Sequence, residues 1–137
     1  MQSLFHFAFN VTDLAKAREF YGGILQCKEG RSTETWVDFD FYGHQLSLHL
    51  GVPFETKNTG IVGEHLVPIP HFGLVLPMKD WQQLAKQLED ADVDFELPPS
   101  TRFPGQPGEQ RTMFFRDFCG NPIEIKSFDD FHQLYAQ

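Results

Sequence analysis

Part of this chain is repeated within itself, and no other feature constrains its fold as strongly. Residues 6–9 (HFAF) return as residues 71–74 (HFGL), and residues 40–48 (DFYGHQLSL) return as residues 117–125 (DFCGNPIEI). Both copies of the first segment run on into a helix-like pattern of apolar residues. Such self-similarity indicates two copies of one supersecondary unit. We therefore predict two similar modules, each with a histidine at the same place, and a carboxylate late in the second.

Hydrophobic patterns give each module the order βαβββ, which predicts an α+β fold. In the first module the strands are predicted near residues 4–11, 25–30, 35–41 and 45–50. In the second module the strands are predicted near residues 71–76, 93–97, 112–117 and 123–127. A short final helix is predicted within residues 129–135.

Each module's helix has its own boundary signals. Thr12 or Asp13 is predicted to cap the first helix, because a short side-chain oxygen accepts from the free amides of the first turn. Gly22 and Gly23 are predicted to end it. Asp80 is predicted to cap the second helix.

The 137 residues correspond to one domain, 1–137, with internal modules 1–50 and 71–128 joined by a connection, 51–70. Prolines and glycines in the segment 98–110 predict irregular structure. Long loops of this kind are as often functional rims or lids as they are mobile surface excursions, and both readings stay open.

Charge and composition exclude several classes of partner. Eleven basic against 19 acidic residues give a net charge of −8, with no long run of either sign, which argues against nucleic acid or an anionic membrane as the main partner. No apolar run approaches the length of a membrane span, and no signal peptide is evident, so we expect a cytoplasmic protein. Cys27 and Cys119 lack CxxC spacing and are interpreted as reduced thiols.

Strand alternation relates residues of the two repeats to each other. Gln45, Ser47 and His49 share one face of their strand, while Glu124 and Lys126 share a face of the matching strand. Ser47 therefore occupies the place that Glu124 fills in the second copy.

If the modules close around a shared cavity, His6, His71 and Glu124 can converge. Two imidazoles and one carboxylate hold a divalent ion and leave positions open, as in non-haem Fe(II) sites, and the same set suits Mn or Zn. Structural alternatives stand beside this one. A histidine among phenylalanines is often a core residue, and Lys126 would be a sufficient partner for a buried Glu124.

Residues 115–124 (FRDFCGNPIE) carry a more specific signal. They are similar to the phenylalanine-arginine-aspartate turn, glycine-asparagine-proline and ligand glutamate of the vicinal oxygen chelate superfamily. That superfamily includes glyoxalases, extradiol dioxygenases, fosfomycin- and bleomycin-resistance proteins, and epimerases. Phe118 and Cys119 depart from the family's usual proline-aspartate, which alters the turn more than the site. The resemblance extends over nearly the whole chain.

This resemblance implies paired βαβββ modules forming a cupped mixed sheet, with His6, His71 and Glu124 as the metal ligands. Ser47 stands where glyoxalase I has a fourth ligand, glutamate or glutamine, so glyoxalase I activity is less favoured. His49 is the candidate for proton transfer, with His65 as its alternative.

The favoured function is that of a dioxygenase-like enzyme acting on a small substrate chelated through two oxygens, with Fe(II) as the favoured metal and Mn, Zn or Ni as alternatives. Its rivals are a glyoxalase-type lyase or isomerase and a non-catalytic small-molecule-binding resistance protein. The family also implies a homodimer. A site within one chain and a site formed by two subunits both agree with the sequence.

Overall fold

A computed structural model describes residues 2–135, which form two compact units. The first unit comprises residues 2–55 together with the turn 118–121, and the second comprises residues 56–117 and 122–135. The turn belongs with the first unit, where the buried Asn121 amide donates to the Asn10 carbonyl at 3.1 Å. Each unit contains one βαβββ module, which confirms the predicted fold class.

The elements of the first unit follow the predicted order closely. They are β1 (His6–Val11), α1 (Leu14–Ala17), a π-helical continuation (Arg18–Ile24), β2 (Lys28–Ser32), β3 (Trp36–Phe41) and β4 (His44–Leu50). Asp13 caps α1, its carboxylate accepting from the Lys16 amide at 2.9 Å. The helical conformation continues through Gly22 and Gly23 to Ile24, further than the sequence predicts.

These strands form a mixed sheet in the order β1-β4-β3-β2, in which only β1 and β4 are parallel. Its apolar face packs on the helical segment, where the Tyr21 ring lies 6.1 Å from the Phe9 ring and 5.9 Å from the Phe39 ring. The other face carries polar residues in cross-strand rows, because side chains alternate along each strand. His6 lies opposite Gln45 in one of these rows.

The second unit begins with a hairpin that the sequence did not predict. Its elements are β5 (Lys57–Val62), β6 (His65–Ile69), β7 (Phe72–Leu76), α2 (Met78–Asp90), β8 (Phe95–Arg102), β9 (Gln110–Arg116), β10 (Pro122–Ser127) and a 3₁₀ helix (Phe131–Tyr135). Strands β5 and β6 lie within the connection 51–70, and among the described strands each pairs only with the other.

Two boundary predictions in this unit were wrong. Pro77 occupies the N-cap of α2 without a side-chain cap, and Asp80 lies inside the first turn, where its charge favours the helix dipole. Strand β8 runs through Pro98 and Pro99 to Arg102, although the segment 98–110 was predicted to be irregular. The prolines are tolerated because β8 is an edge strand, where one side of the backbone needs no ladder partner.

The second sheet, in the order β7-β10-β9-β8, repeats the pairing of the first. Glu124 lies opposite Gly73 in the parallel pair β7-β10, as Ser47 lies opposite Ala8 in the pair β1-β4. The register therefore confirms that Ser47 and Glu124 are equivalent positions. No helix among the described residues 2–135 is both long enough and apolar enough to cross a membrane.

Gly73 allows β7 to approach β10 closely beside Glu124. A Cβ atom at Gly73 would lie 1.5 Å from the Glu124 carbonyl oxygen, a backbone atom that moves only with its strand. We expect Gly73→Ala to lower the free energy of unfolding by at least about 3 kcal/mol, since the added methyl forces β7 and β10 apart.

Chemical denaturation measures this effect, with Gly23→Ala as the control. A Cβ at Gly23 meets nothing within 4 Å, so this variant should stay within about 1 kcal/mol of the parent. Equal stability of the two variants would contradict the close approach at Gly73.

Candidate metal centre

His71 lies immediately before β7, and its ring is fixed on one side by the backbone. Its Nδ1 atom lies 2.7 Å from the Pro68 carbonyl oxygen, which only accepts, so Nδ1 carries a proton and donates it. The ring packs against the Phe114 ring in a T-shaped arrangement, with 4.7 Å between ring centroids. Its Nε2 atom is therefore the nitrogen left to bind a proton or a metal ion.

Glu124 projects from the middle of β10 toward that nitrogen. Its Oε1 atom lies 3.3 Å from His71 Nε2, and its Oε2 atom accepts a 2.7 Å hydrogen bond from the Thr112 hydroxyl. The residue is 8% exposed. The structure thus brings together two of the three predicted metal ligands, His71 and Glu124, within the second unit.

Two further cationic side chains approach the same carboxylate. Arg102 Nη1 lies 3.7 Å from Glu124 Oε2, and Lys126 Nζ lies 3.9 Å from Oε1. Lys126 shares the predicted face with Glu124. Sequence reasoning missed Arg102, because the segment that holds it was predicted to be irregular and no strand face could be assigned.

The His71–Glu124 contact shifts the pKa of both groups. The hydrogen bond with Glu124 raises the pKa of His71 above its ordinary value, although partial burial opposes this. Burial alone would raise the pKa of Glu124, but the hydrogen bonds from His71 and Thr112 and the charge of Lys126 outweigh it and lower that pKa. Each shift favours the charged form of its group, an imidazolium for His71 and a carboxylate for Glu124.

His6 lies at the start of β1 in the first unit and is oriented by side chains. Its Nδ1 atom lies 2.9 Å from the Gln45 amide oxygen, and the Gln45 amide nitrogen donates to Asp38 at 3.1 Å. Because the amide nitrogen is used by Asp38, the amide oxygen faces His6 and accepts from Nδ1. This arrangement leaves His6 Nε2 with a lone pair, as a metal ligand requires.

The remaining candidate residues are placed as follows. Ser47 donates a 2.6 Å hydrogen bond to Asp38, so its hydroxyl is engaged within the sheet. His49 is exposed on β4, with its ring 6.2 Å from the Trp36 ring. His65 is exposed at the start of β6.

The donor atoms of the His71–Glu124 pair fit a divalent cation. Imidazole nitrogen and carboxylate oxygen are ligands for Fe, Mn and Zn, and the bond to Pro68 fixes the ring as a ligand histidine is usually fixed. Within residues 2–135, no group of three or more His, Cys, Asp or Glu side chains forms a cluster able to hold a metal ion.

Comparison with known protein families finds one whose model matches most of this chain. Residues 3–125 match the model of the Glyoxalase/Bleomycin resistance protein/Dioxygenase superfamily. The chain belongs to this superfamily. The match spans both modules and includes His6, His71 and Glu124. The comparison with curated proteins finds no match.

Solved structures agree with this assignment. A glyoxalase/bleomycin resistance protein/dioxygenase from Alicyclobacillus acidocaldarius is 30% identical, with a TM-score of 0.80 over 98% of this chain and 97% of that one. The fosfomycin resistance protein FosX from Listeria monocytogenes shares the fold at 17% identity, with a TM-score of 0.71 over 98% and 99% of the two chains. Lactoylglutathione lyase from Agrobacterium tumefaciens does so at 15% identity, with a TM-score of 0.63 over 94% and 96%.

The His71–Glu124 contact predicts a pH-dependent stability in the metal-free protein. The raised pKa of His71 stabilises the fold below about pH 6.5, and this contribution is lost as the pH rises through the folded pKa. The lowered pKa of Glu124 stabilises the fold above about pH 4.5, and this contribution is lost as the pH falls through the folded pKa. Both contributions are present together between those values.

We therefore expect Glu124→Gln to cost about 1 to 3 kcal/mol of unfolding free energy near pH 6 and less at pH 9. Urea denaturation in the presence of a chelator, repeated across this range, measures the difference between the parent and the variant. A difference that does not change with pH would contradict an ionised pair.

Proposed function

We propose that this superfamily member is a metal-dependent enzyme whose substrate is chelated through two neighbouring oxygens. His71 and Glu124 bind the divalent cation, and His6 supplies the third protein ligand. The observation that carries the proposal is the pairing of His71 Nε2 with Glu124 Oε1 at 3.3 Å, while Nδ1 is held by a backbone carbonyl. A buried carboxylate that faces the free nitrogen of an oriented histidine places two metal-binding atoms next to each other in the protein fold itself.

A divalent ion bound there would supply Lewis-acid stabilisation of a substrate oxyanion, and Fe(II) would also support dioxygenation. Dioxygenation is the favoured reaction, because three protein ligands leave neighbouring positions for substrate and dioxygen. Ser47 supports a three-ligand set, since its hydroxyl is engaged by Asp38 and serine is a poor ligand for these ions. A lyase or isomerase using Mn, Zn or Ni is the second enzymatic candidate.

His49 is the proposed proton-transfer residue. It lies two positions beyond Ser47 on β4 and is exposed, so its ring nitrogens are accessible to a substrate group. An imidazole side chain can both donate and accept a proton, which suits general acid or base catalysis. His65 is the alternative, because it is also exposed.

A non-catalytic binding protein is the candidate from another class. An open cavity of about 420 Å³ lies in the first unit, and Leu4 and Phe5 give it apolar walls beside His6. This volume fits a small organic molecule, so sequestration without chemistry has physical support. Metal dependence separates the two functions, because sequestration in such a cavity requires no ion. For either function we propose a cytoplasmic homodimer.

Metal uptake tests the enzyme proposal directly. We expect metal-free protein dialysed against Mn²⁺, Zn²⁺ or anaerobic Fe²⁺ to retain the ion. His6→Ala, His71→Ala and Glu124→Gln should each bind it at least about 100-fold more weakly, because each removes a ligand. Elemental analysis and metal titration give the measurement.

His132→Ala is the matched control for this experiment, since the His132 side chain is 95% exposed and pairs with Asp130, two residues earlier. It should bind metal like the parent. A parent protein that takes up none of the three ions would contradict the enzyme proposal and favour sequestration.

Oxygen consumption tests the favoured reaction. With the Fe²⁺-loaded protein and a panel of catechols, an oxygen electrode should record turnover. His49→Gln should slow this turnover by about 100-fold while its iron content stays at the parent level, as loss of a general acid or base implies. Loaded protein that is silent with every catechol would reject dioxygenation and leave the lyase or isomerase candidate.

A further inference from the structure

Arg102 and Lys126 both face the same carboxylate, Glu124. Among the residues that the structure describes, Glu124 is the one carboxylate within ion-pair distance of either side chain, at 3.7 Å and 3.9 Å. The Arg102 guanidinium also lies over the Phe103 ring, 5.1 Å from its centroid. Two cations thus depend on one anion that the proposed metal site also requires.

Partial burial makes that dependence costly. The Arg102 side chain is 19% exposed and that of Lys126 is 34% exposed, so neither charge is fully solvated. A charge withdrawn from water needs an opposing charge or strong hydrogen bonds to offset its desolvation. At both side chains Glu124 now provides this compensation.

Occupation of the proposed metal site would change the balance of charge. The carboxylate would then be shared with a divalent ion. The surroundings of Glu124 would gain positive charge, while the anion facing Arg102 and Lys126 would be largely neutralised. Binding of a further anion beside Arg102 and Lys126 would therefore be favoured.

We propose that Arg102 and Lys126 form an oxyanion subsite that binds a carboxylate, phosphate or phosphonate group of the substrate beside Glu124. The assignment to the substrate rests on the proposed function, whereas the affinity of the two cations for an oxyanion does not. Arginine presents a planar fork of donors that matches such groups, and lysine adds a point charge. The substrate class is thus an anionic molecule rather than a neutral one.

Neutralising Glu124 by mutation removes the anion that faces Arg102 and Lys126 without any metal. Glu124→Gln keeps the shape of the side chain and an acceptor for Thr112 but removes its charge. We expect metal-free E124Q to bind inorganic phosphate at least about tenfold more tightly than the metal-free parent, measured by isothermal titration calorimetry. Acetate as a second probe separates a preference for phosphate from one for carboxylates.

Second substitutions show which residues hold the anion. Adding Arg102→Gln or Lys126→Gln to E124Q should weaken phosphate binding by at least about tenfold, because each removes a charged donor. Adding Lys86→Gln should not, because Lys86 pairs with Asp90 on the exposed surface of α2. Circular dichroism verifies that each variant is folded. If E124Q does not fold, phosphate titration of the Mn²⁺-loaded parent, compared with its loaded Arg102→Gln and Lys126→Gln variants, takes its place.

Equal phosphate binding by E124Q and the parent would overturn the subsite. So would double variants that bind phosphate as tightly as E124Q, since the anion would then lie elsewhere. A parent protein that takes up no metal would instead contradict the proposed function and would leave the E124Q result intact, so the two failures are distinguishable.

Discussion

The candidate site depends on the parallel pairing of β7 with β10. This pairing places Glu124 opposite Gly73, two positions after His71, and the missing side chain at Gly73 lets the two backbones come close. The carbonyl of Pro68, at the end of β6, then fixes the imidazole so that Nε2 faces the carboxylate. Loss of either restraint would separate His71 Nε2 from the carboxylate and leave Glu124 with Thr112, Arg102 and Lys126 as its remaining partners.

Duplication followed by divergence explains the difference between the two modules. Both keep the same parallel register, but the position of Glu124 is filled by Ser47 in the first module, whose hydroxyl is tied to Asp38. In both His6 and His71, Nδ1 is hydrogen-bonded and Nε2 is left to bind a metal ion, but the groups that bind Nδ1 differ. A backbone carbonyl holds His71, whereas an amide side chain, itself held by Asp38, orients His6.

The repeat and the strand alternation were sufficient to predict the modules, the equivalence of Ser47 with Glu124 and the shared face of Glu124 and Lys126. Other features were missed for physical reasons. The hairpin β5-β6 has glycines and prolines that read as a linker, and β8 tolerates its prolines because it is an edge strand. Arg102 was missed along with β8. The role of His6 as a third metal ligand and that of His49 in proton transfer remain predictions. Each role is defined by a contact with a metal or a substrate, which the fold of one chain does not determine.

The central claim is that His71 Nε2 and Glu124 bind one cation. Anomalous diffraction from crystals grown with Mn²⁺ or Zn²⁺ tests it most directly. We expect an ion about 2.0 to 2.2 Å from both donor atoms, with His71 Nδ1 still bonded to the Pro68 carbonyl. An anomalous peak at other residues, or none while the His71–Glu124 ion pair stays closed, would contradict it.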